Sequence, residues 1–232
     1  MLLVTRPEPK ASKSVSLFKS EHLPCCKYPA INIQLILDAQ LPRQTYDIVI
    51  VTSTYTLGWL TQHKFICKEA TISIGQATTH AIQQAKLPWV KQLIQATQQN
   101  SEGVLALPIL QDLKAKRVLI VKGKGGRDLL ETSLCNKGAT VDALAVYERQ
   151  GNCDQQLIRQ VEEQPITCII VTSVEIATQL FACFSEQWLF DKKWIAASHR
   201  IADFLKSKNI ENVWVSDSAE DSAIMDVAKS IL

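Results

Sequence analysis

Ile50-Val51-Thr52-Ser53 and Ile170-Val171-Thr172-Ser173 are one tetrapeptide used twice, at positions 50 and 170 of a 232-residue chain. In each copy three β-branched residues, suited to a strand buried on both faces, run into a serine of the kind that starts a helix. Reading outward, each copy is followed by an amphipathic stretch and then by a strand ending in small residues. These ends read Ile74-Gly75-Gln76-Ala77 and Ile195-Ala196-Ala197-Ser198. A second amphipathic stretch, a short segment around Trp89 or Trp214, and a polar cap before another helix complete each copy. The caps read Asn100-Ser101-Glu102 and Ser218-Ala219-Glu220-Asp221, the second with capping-box character. The first copy continues through the apolar run at 117–121 to a strand at 140–145, whereas the second ends at Leu232. Its missing strand, helix and strand are found at the other terminus, from Leu2-Leu3-Val4 through Tyr28.

The apolar runs predict strands at 2–4, 25–29, 48–52, 71–74, 89–91, 118–121, 140–145, 168–172, 193–196 and 213–215, with helices between them. This is the pattern of an α/β protein with parallel sheets. The duplication divides them into two homologous five-stranded, flavodoxin-like lobes. One is continuous (35–149) and one discontinuous (1–34 plus 150–232). The chain crosses twice, near Ala30-Ile31-Asn32-Ile33 and Val146-Tyr147-Glu148-Arg149, and both segments are extended in character, so a two-stranded hinge and a cleft between lobes are expected.

Composition narrows the function. With 47% hydrophobic and 21% charged residues and only 8 Gly and 8 Pro, disorder, collagen and coiled coil are excluded. The 25 basic and 23 acidic side chains leave a net charge of +2, too balanced for a chain that grips nucleic acid by phosphate neutralisation, so any anion site is local. Seven cysteines, two adjacent and none in C-x-x-C spacing, argue against a disulfide framework and a zinc site, and a reducing cytoplasm is the expected compartment. No apolar run approaches membrane-spanning length, and the N-terminus lacks the pattern of a leader.

Strand ends supply the candidate site residues. Lys122-Gly123-Lys124-Gly125-Gly126-Arg127 follows a strand and opens a helix, so its glycines let backbone amides approach an anion while Lys122 and Arg127 add charge. A plain βα turn explains the same residues, and neither G-x-G-x-x-G nor the P-loop pattern is met, because Asp128 stands where the last glycine would be. Arg6, in Thr5-Arg6-Pro7, holds the equivalent place in the other lobe, so it and Arg127 or Lys122 can approach one cleft from two sides, although an exposed loop arginine is the plainer reading. Ser53 and Ser173 fit helix caps without any ligand. The four histidines are scattered, with no metal spacing and no nucleophile elbow. Tyr147, at a crossing, carries a phenol that stays protonated at neutral pH and can donate to a departing hydroxyl, although packing of its ring is an equally plain role.

The ordered set Val4-Thr5-Arg6-Pro7, Tyr28-Pro29, Val51-Thr52-Ser53, Ile74-Gly75-Gln76-Ala77-Thr78, Lys122 to Arg127, Val146-Tyr147-Glu148-Arg149 and Val171-Thr172-Ser173, spanning almost the whole chain, resembles the uroporphyrinogen-III synthase family. The resemblance implies a lyase without cofactor or metal that takes the linear tetrapyrrole hydroxymethylbilane, removes its hydroxyl as water and closes the ring with inversion of ring D, through a spiro-pyrrolenine. It matches Tyr147 to the tyrosine proposed to assist hydroxyl departure. Ser53, Thr78, Ser173 and Ser198 match hydroxyl-bearing or small strand-end positions, and Arg6, Lys122 and Arg127 match basic ones. The family often has a glycine where Ala196-Ala197-Ser198-His199 stands, and arginine is common at position 122. A cytoplasmic monomer is expected, with no nucleic-acid or membrane partner and at most a transient contact with the preceding enzyme of the pathway. Two other readings share the fold: a non-catalytic two-lobed binder or sensor of a small anion, and a nucleotide-dependent α/β enzyme.

Overall fold

The computed structural model describes residues 1–126 and 128–232. The chain opens with β1 (Leu2–Val4), α1 (Lys10–Ser20) and β2 (Cys25–Lys27), then passes through β3 (Ile31–Leu35) into β4 (Thr45–Val51). A 3₁₀ turn at Thr54–Thr56 leads to the short α2 (Leu57–Leu60), followed by β5 (Ile66–Ser73), α3 (Gln76–Ala85), β6 (Leu93–Gln95) and α4 (Ser101–Leu105). Next come β7 (Arg117–Gly123), α5 (Leu129–Asn136) and the long β8 (Thr140–Gly151). The last third holds α6 (Gln155–Glu162), β9 (Cys168–Val171), α7 (Val174–Cys183), α8 (Glu186–Phe190), β10 (Lys193–Ala196), α9 (His199–Ser207), β11 (Val213–Val215) and α10 (Asp221–Ile231). Two compact units result, one of Met1–Asn32 with Gln150–Leu232 and one of Ile33–Arg149.

In the discontinuous unit five strands form a sheet in the order β2-β1-β9-β10-β11, every neighbouring pair parallel. Numbered along the chain within that unit, the order is 2-1-3-4-5, that of flavodoxin-like sheets. In the continuous unit the sheet runs β3-β8-β7-β4-β5-β6, and β8 through β6 are parallel. Its parallel strands have the same arrangement with the chain cut at another point, β7 taking the place of β1 and β4 that of β9. Ser53 and Ser173 follow equivalent strands in nearly the same backbone conformation, with φ and ψ of −161° and 152° against −156° and 156°.

The two-residue period of a strand distributes the core. Val49 and Val51 of β4 with Leu119 and Val121 of β7 point to one face, where Trp59, Phe65 and Ile82 cover them. Ile48, Ile50, Val118 and Ile120 point to the other, beneath Val104, Leu110 and Leu134. In the discontinuous unit Leu2, Val4, Cys168 and Ile170 pack on Phe18 of α1 and on Ile224 and Ala228 of α10.

Three expectations are corrected. The continuous unit's sheet has six strands rather than five, because β3 lies beside β8. No strand forms at 89–91. Pro88 has no N–H to give to a ladder and Lys86 ends α3 in a left-handed conformation (φ 47°), so Trp89 sits in the turn against Phe65 (centroids 4.3 Å) and the edge strand begins at Leu93. Finally, Cys153 and Cys183 form a disulfide, since the end of α7 is brought to the start of the segment after β8, with Cα atoms 5.3 Å apart. That proximity is tertiary and leaves no mark in cysteine spacing.

Candidate active site

In doubly wound sheets the helices on either side of the switch point leave in opposite directions and open a crevice at the carboxyl ends of the strands. In the continuous unit the switch lies between β4 and β7, and there a crevice of about 440 Å³ is bounded by Thr52 and Ser53 after β4, Lys122 and Gly123 at the end of β7, and Tyr147 and Arg149 of β8. Asn100, Ser101 and Glu102 at the start of α4 close another side, and Glu131 of α5 also faces it. Asn100 caps α4 as expected, its side-chain oxygen accepting from the Gly103 N–H at 2.7 Å.

Tyr147 is the most constrained of these. Only 2% of it is exposed, and its ring meets Tyr55 edge-on (centroids 5.6 Å). Gly123 lies against the phenol so closely that a Cβ there would stand 2.5 Å from Cζ and 2.8 Å from the hydroxyl oxygen. The absent side chain at 123 therefore makes room for Tyr147. Gly125 and Gly126 differ, having φ of +78° and +97° and nothing within 4 Å of a built Cβ. Their positive φ is the conformation that favours glycine, and the space beside them is open. The phenolic oxygen accepts from Nη2 of Arg149 at 3.3 Å, and the guanidinium carbon is 5.6 Å from the ring centroid. Among the described residues nothing accepts the phenolic proton.

Lys122 is ion-paired to Asp128 at 3.3 Å, but Asp128 is 77% exposed, so this is a weak surface pair that a ligand carboxylate can replace at little cost. The Ser53 oxygen accepts from the Tyr55 N–H at 3.3 Å, which leaves its own proton for a ligand. Arg127 lies outside the described residues.

Of the other predicted residues, Thr78 belongs to the same unit as the crevice, and Ser173, Ser198 and Arg6 belong to the discontinuous unit. Thr78 is buried on the inner side of α3 and does not line the crevice. Ser173 caps α7, accepting from the Ile176 N–H at 3.1 Å, and borders a separate depression with Arg200 and Phe204. Ser198 begins α9 without a side-chain cap bond. Arg6 is 8% exposed and donates from Nη1 to Asp221 (3.0 Å) and from Nη2 to the Ala219 carbonyl (2.8 Å). Ser14 also donates to Asp221, at 2.7 Å. Asp221 thus serves Arg6 rather than a capping box, and α10 takes Glu220 as its cap residue without a side-chain bond. Burial, then the charge of Arg6, pulls the nearby Lys10 ammonium below its usual pKa. At the switch point of the discontinuous unit, then, the arginine is paired within its own unit, whereas Lys122 at the equivalent place in the continuous unit borders the crevice.

Sequence reasoning missed Gly123 as a platform, Tyr55, Glu102, Glu131 and Arg149. For Arg149 a signal was present: two residues from Tyr147 on one strand puts both side chains on one face.

A doubly wound α/β protein with an open crevice over a strand switch, furnished with a phenol, hydroxyls and cations and lacking a nucleotide fingerprint, is of the class that handles a small organic anion by positioned hydrogen bonds. Among the described residues no group of three side chains is placed to hold a metal ion, and no helix is long and apolar enough to cross a membrane. The chain belongs to the uroporphyrinogen-III synthase family, whose model, described as uroporphyrinogen-III synthase HemD, matches residues 17–226. It is 26% identical to the uroporphyrinogen-III synthase of Escherichia coli K12 over 246 residues, covering 97% of this chain and 98% of the other. With that of Salmonella typhimurium it shares 25% over 247 residues at the same coverage. The crystal structure of uroporphyrinogen-III synthetase from Helicobacter pylori 26695 superposes with a TM-score of 0.67 at 14% identity, covering 100% of this chain and 99% of that one, which shows a shared fold. The family places the protein among the cyclising lyases of tetrapyrrole and haem biosynthesis.

Proposed function

We propose that this chain closes hydroxymethylbilane to uroporphyrinogen III in the crevice over β4, β7 and β8, with Tyr147 as the acid. The observation that carries the reading is the Tyr147 hydroxyl, held by Gly123, Tyr55 and Arg149, with no acceptor for its proton among the described residues. As the C–O bond of the hydroxymethyl group breaks, its electron pair leaves on oxygen and the Tyr147 proton completes a water molecule. The carbon left behind is stabilised by the adjoining pyrrole nitrogen. The substituted carbon of ring D attacks it to give the spiro-pyrrolenine, which opens and recloses with ring D inverted. The proton then released from ring D restores the phenol, so the net change is loss of one water.

The substrate's own groups react, so the protein's larger task is to hold the chain where the substituted carbon attacks first. Lys122, the Ser53 hydroxyl and the amides around Gly125 and Gly126 support this by offering carboxylate contacts that need few buried cations. Arg127 is proposed as a further carboxylate partner from the resemblance. The Tyr147 hydroxyl is a positioned donor that can pass its proton to the leaving oxygen, as general-acid catalysis requires.

The test is to add hydroxymethylbilane to the purified protein, oxidise the products and separate the porphyrin isomers. Predominance of isomer III supports the proposal. Isomer I alone, at the spontaneous rate, refutes it and leaves a binder of anions.

A further inference from the structure

Tyr147 and Arg149 are two residues apart on β8, both border the crevice, and the Arg149 guanidinium donates to the phenolic oxygen at 3.3 Å. A phenol has one proton and accepts through its oxygen. With that oxygen receiving from Arg149, the hydroxyl proton is turned away from the guanidinium. We propose, on the basis of the assignment of Tyr147 above, that Arg149 is a positioning residue for the loss of water: it aims the Tyr147 proton into the crevice and offsets the negative charge that grows on the phenolic oxygen as the proton leaves.

Two observations separate this role from binding of a substrate carboxylate. The guanidinium carbon lies 5.6 Å from the Tyr147 ring centroid, so the cation is at the phenol before any ligand arrives. Across the ring, Gly123 and Tyr55 prevent the phenol from moving off to follow another partner. A preset cation beside an atom that becomes negative during the reaction acts on the transition state more than on the ground state. Arg149 keeps its proton throughout, and no atom passes through it.

The balance of charge gives the expected size. At 3.3 Å, from an exposed side chain, the contact is at the weak end for a charge-assisted hydrogen bond, so its removal slows the chemical step on the order of tenfold.

The experiment measures single-turnover formation of uroporphyrinogen III, together with kcat and KM, for the wild type, Arg149→Gln, Arg149→Lys, Tyr147→Phe and the double variant Tyr147→Phe/Arg149→Gln. Circular dichroism checks each fold, and Arg149 is exposed, so its replacement leaves the core untouched. The expected result is a roughly tenfold fall in the single-turnover rate and kcat of Arg149→Gln with KM little changed. Arg149→Lys, which keeps the charge without the planar fork, falls between it and the wild type. The double variant is no slower than Tyr147→Phe alone, because nothing remains to position. A wild-type rate in Arg149→Gln, a loss confined to KM, or a loss that persists in the phenylalanine background overturns the inference while leaving Tyr147 in place. A wild-type rate in Tyr147→Phe refutes the assignment of Tyr147, and the role of Arg149 falls with it.

Discussion

Gly123→Ala places a methyl group against Tyr147 without altering any charge or hydrogen-bonding group. Built on the observed backbone, the new Cβ stands 2.5 Å from Cζ and 2.8 Å from both Cε2 and the hydroxyl oxygen, where ordinary contact begins at 3.4 Å. The ring must therefore recede by about 0.9 Å. It is held on its other sides by Tyr55 and by the guanidinium of Arg149, so it cannot do so freely. Overpacking of this kind costs about 1–3 kcal/mol of stability, and a displacement of about 1 Å of a catalytic group lowers a rate on the order of a hundredfold. The backbone at 123 lies outside the left-handed region, so alanine adds no strain of its own. Thermal melting gives the first effect and single-turnover conversion of hydroxymethylbilane the second, the isomer ratio showing whether ring D is still inverted. A variant with both the wild-type melting midpoint and the wild-type rate would refute the idea that the glycine exists to seat Tyr147.

Arg6→Met leaves Asp221 and the Ala219 carbonyl without their cation, and breaking a largely buried pair from one side costs about 3 kcal/mol. A fall of about 10 °C in melting midpoint is expected, with little change in KM; an unchanged midpoint with a raised KM would make Arg6 a substrate ligand instead. Tyr28 contributes to the loss of stability at alkaline pH. Its hydroxyl donates to the Asn152 carbonyl at 2.5 Å, and burial, then the charge of Asp154, pushes its pKa up to about 12. The folded state holds this proton more tightly than the unfolded state. The contribution is thus complete below pH about 10 and is lost as pH rises from there towards about 12. Urea midpoints at pH 8 and 11 should fall less in Tyr28→Phe than in the wild type, and equal falls would remove Tyr28 as the cause.

The architecture was legible because it rests on local patterns. The repeated Ile-Val-Thr-Ser ends, the two-residue alternation that sends Val49 and Ile50 to opposite faces, and the Asn100 cap are all written within a few residues. What escaped was settled between distant segments. Arg6 looks from sequence like an exposed loop cation, and only the approach of Asp221, 215 positions on, makes it structural. The disulfide of Cys153 and Cys183 has the same origin. Trp89 stays outside the edge strand because Pro88 and the left-handed Lys86 place it in a turn, where its ring lies against Phe65. Tyr147 stands out in the sequence by its phenol at a chain crossing and by the family resemblance, whereas Gly123 reads as backbone flexibility although in the structure a side chain there would collide with the Tyr147 ring. Glycine looks the same in a sequence for either reason.

Catalysis over β4, β7 and β8 of the continuous unit, as proposed above, requires the product to bind there. Amide hydrogen exchange, followed residue by residue with and without uroporphyrinogen III under anaerobic conditions, tests it most directly. Added protection is expected at positions 52–56, 100–104 and 122–126, around Ser53, Asn100 and Gly125. Protection absent from all three segments while the product is bound would contradict it and move the site elsewhere in the chain.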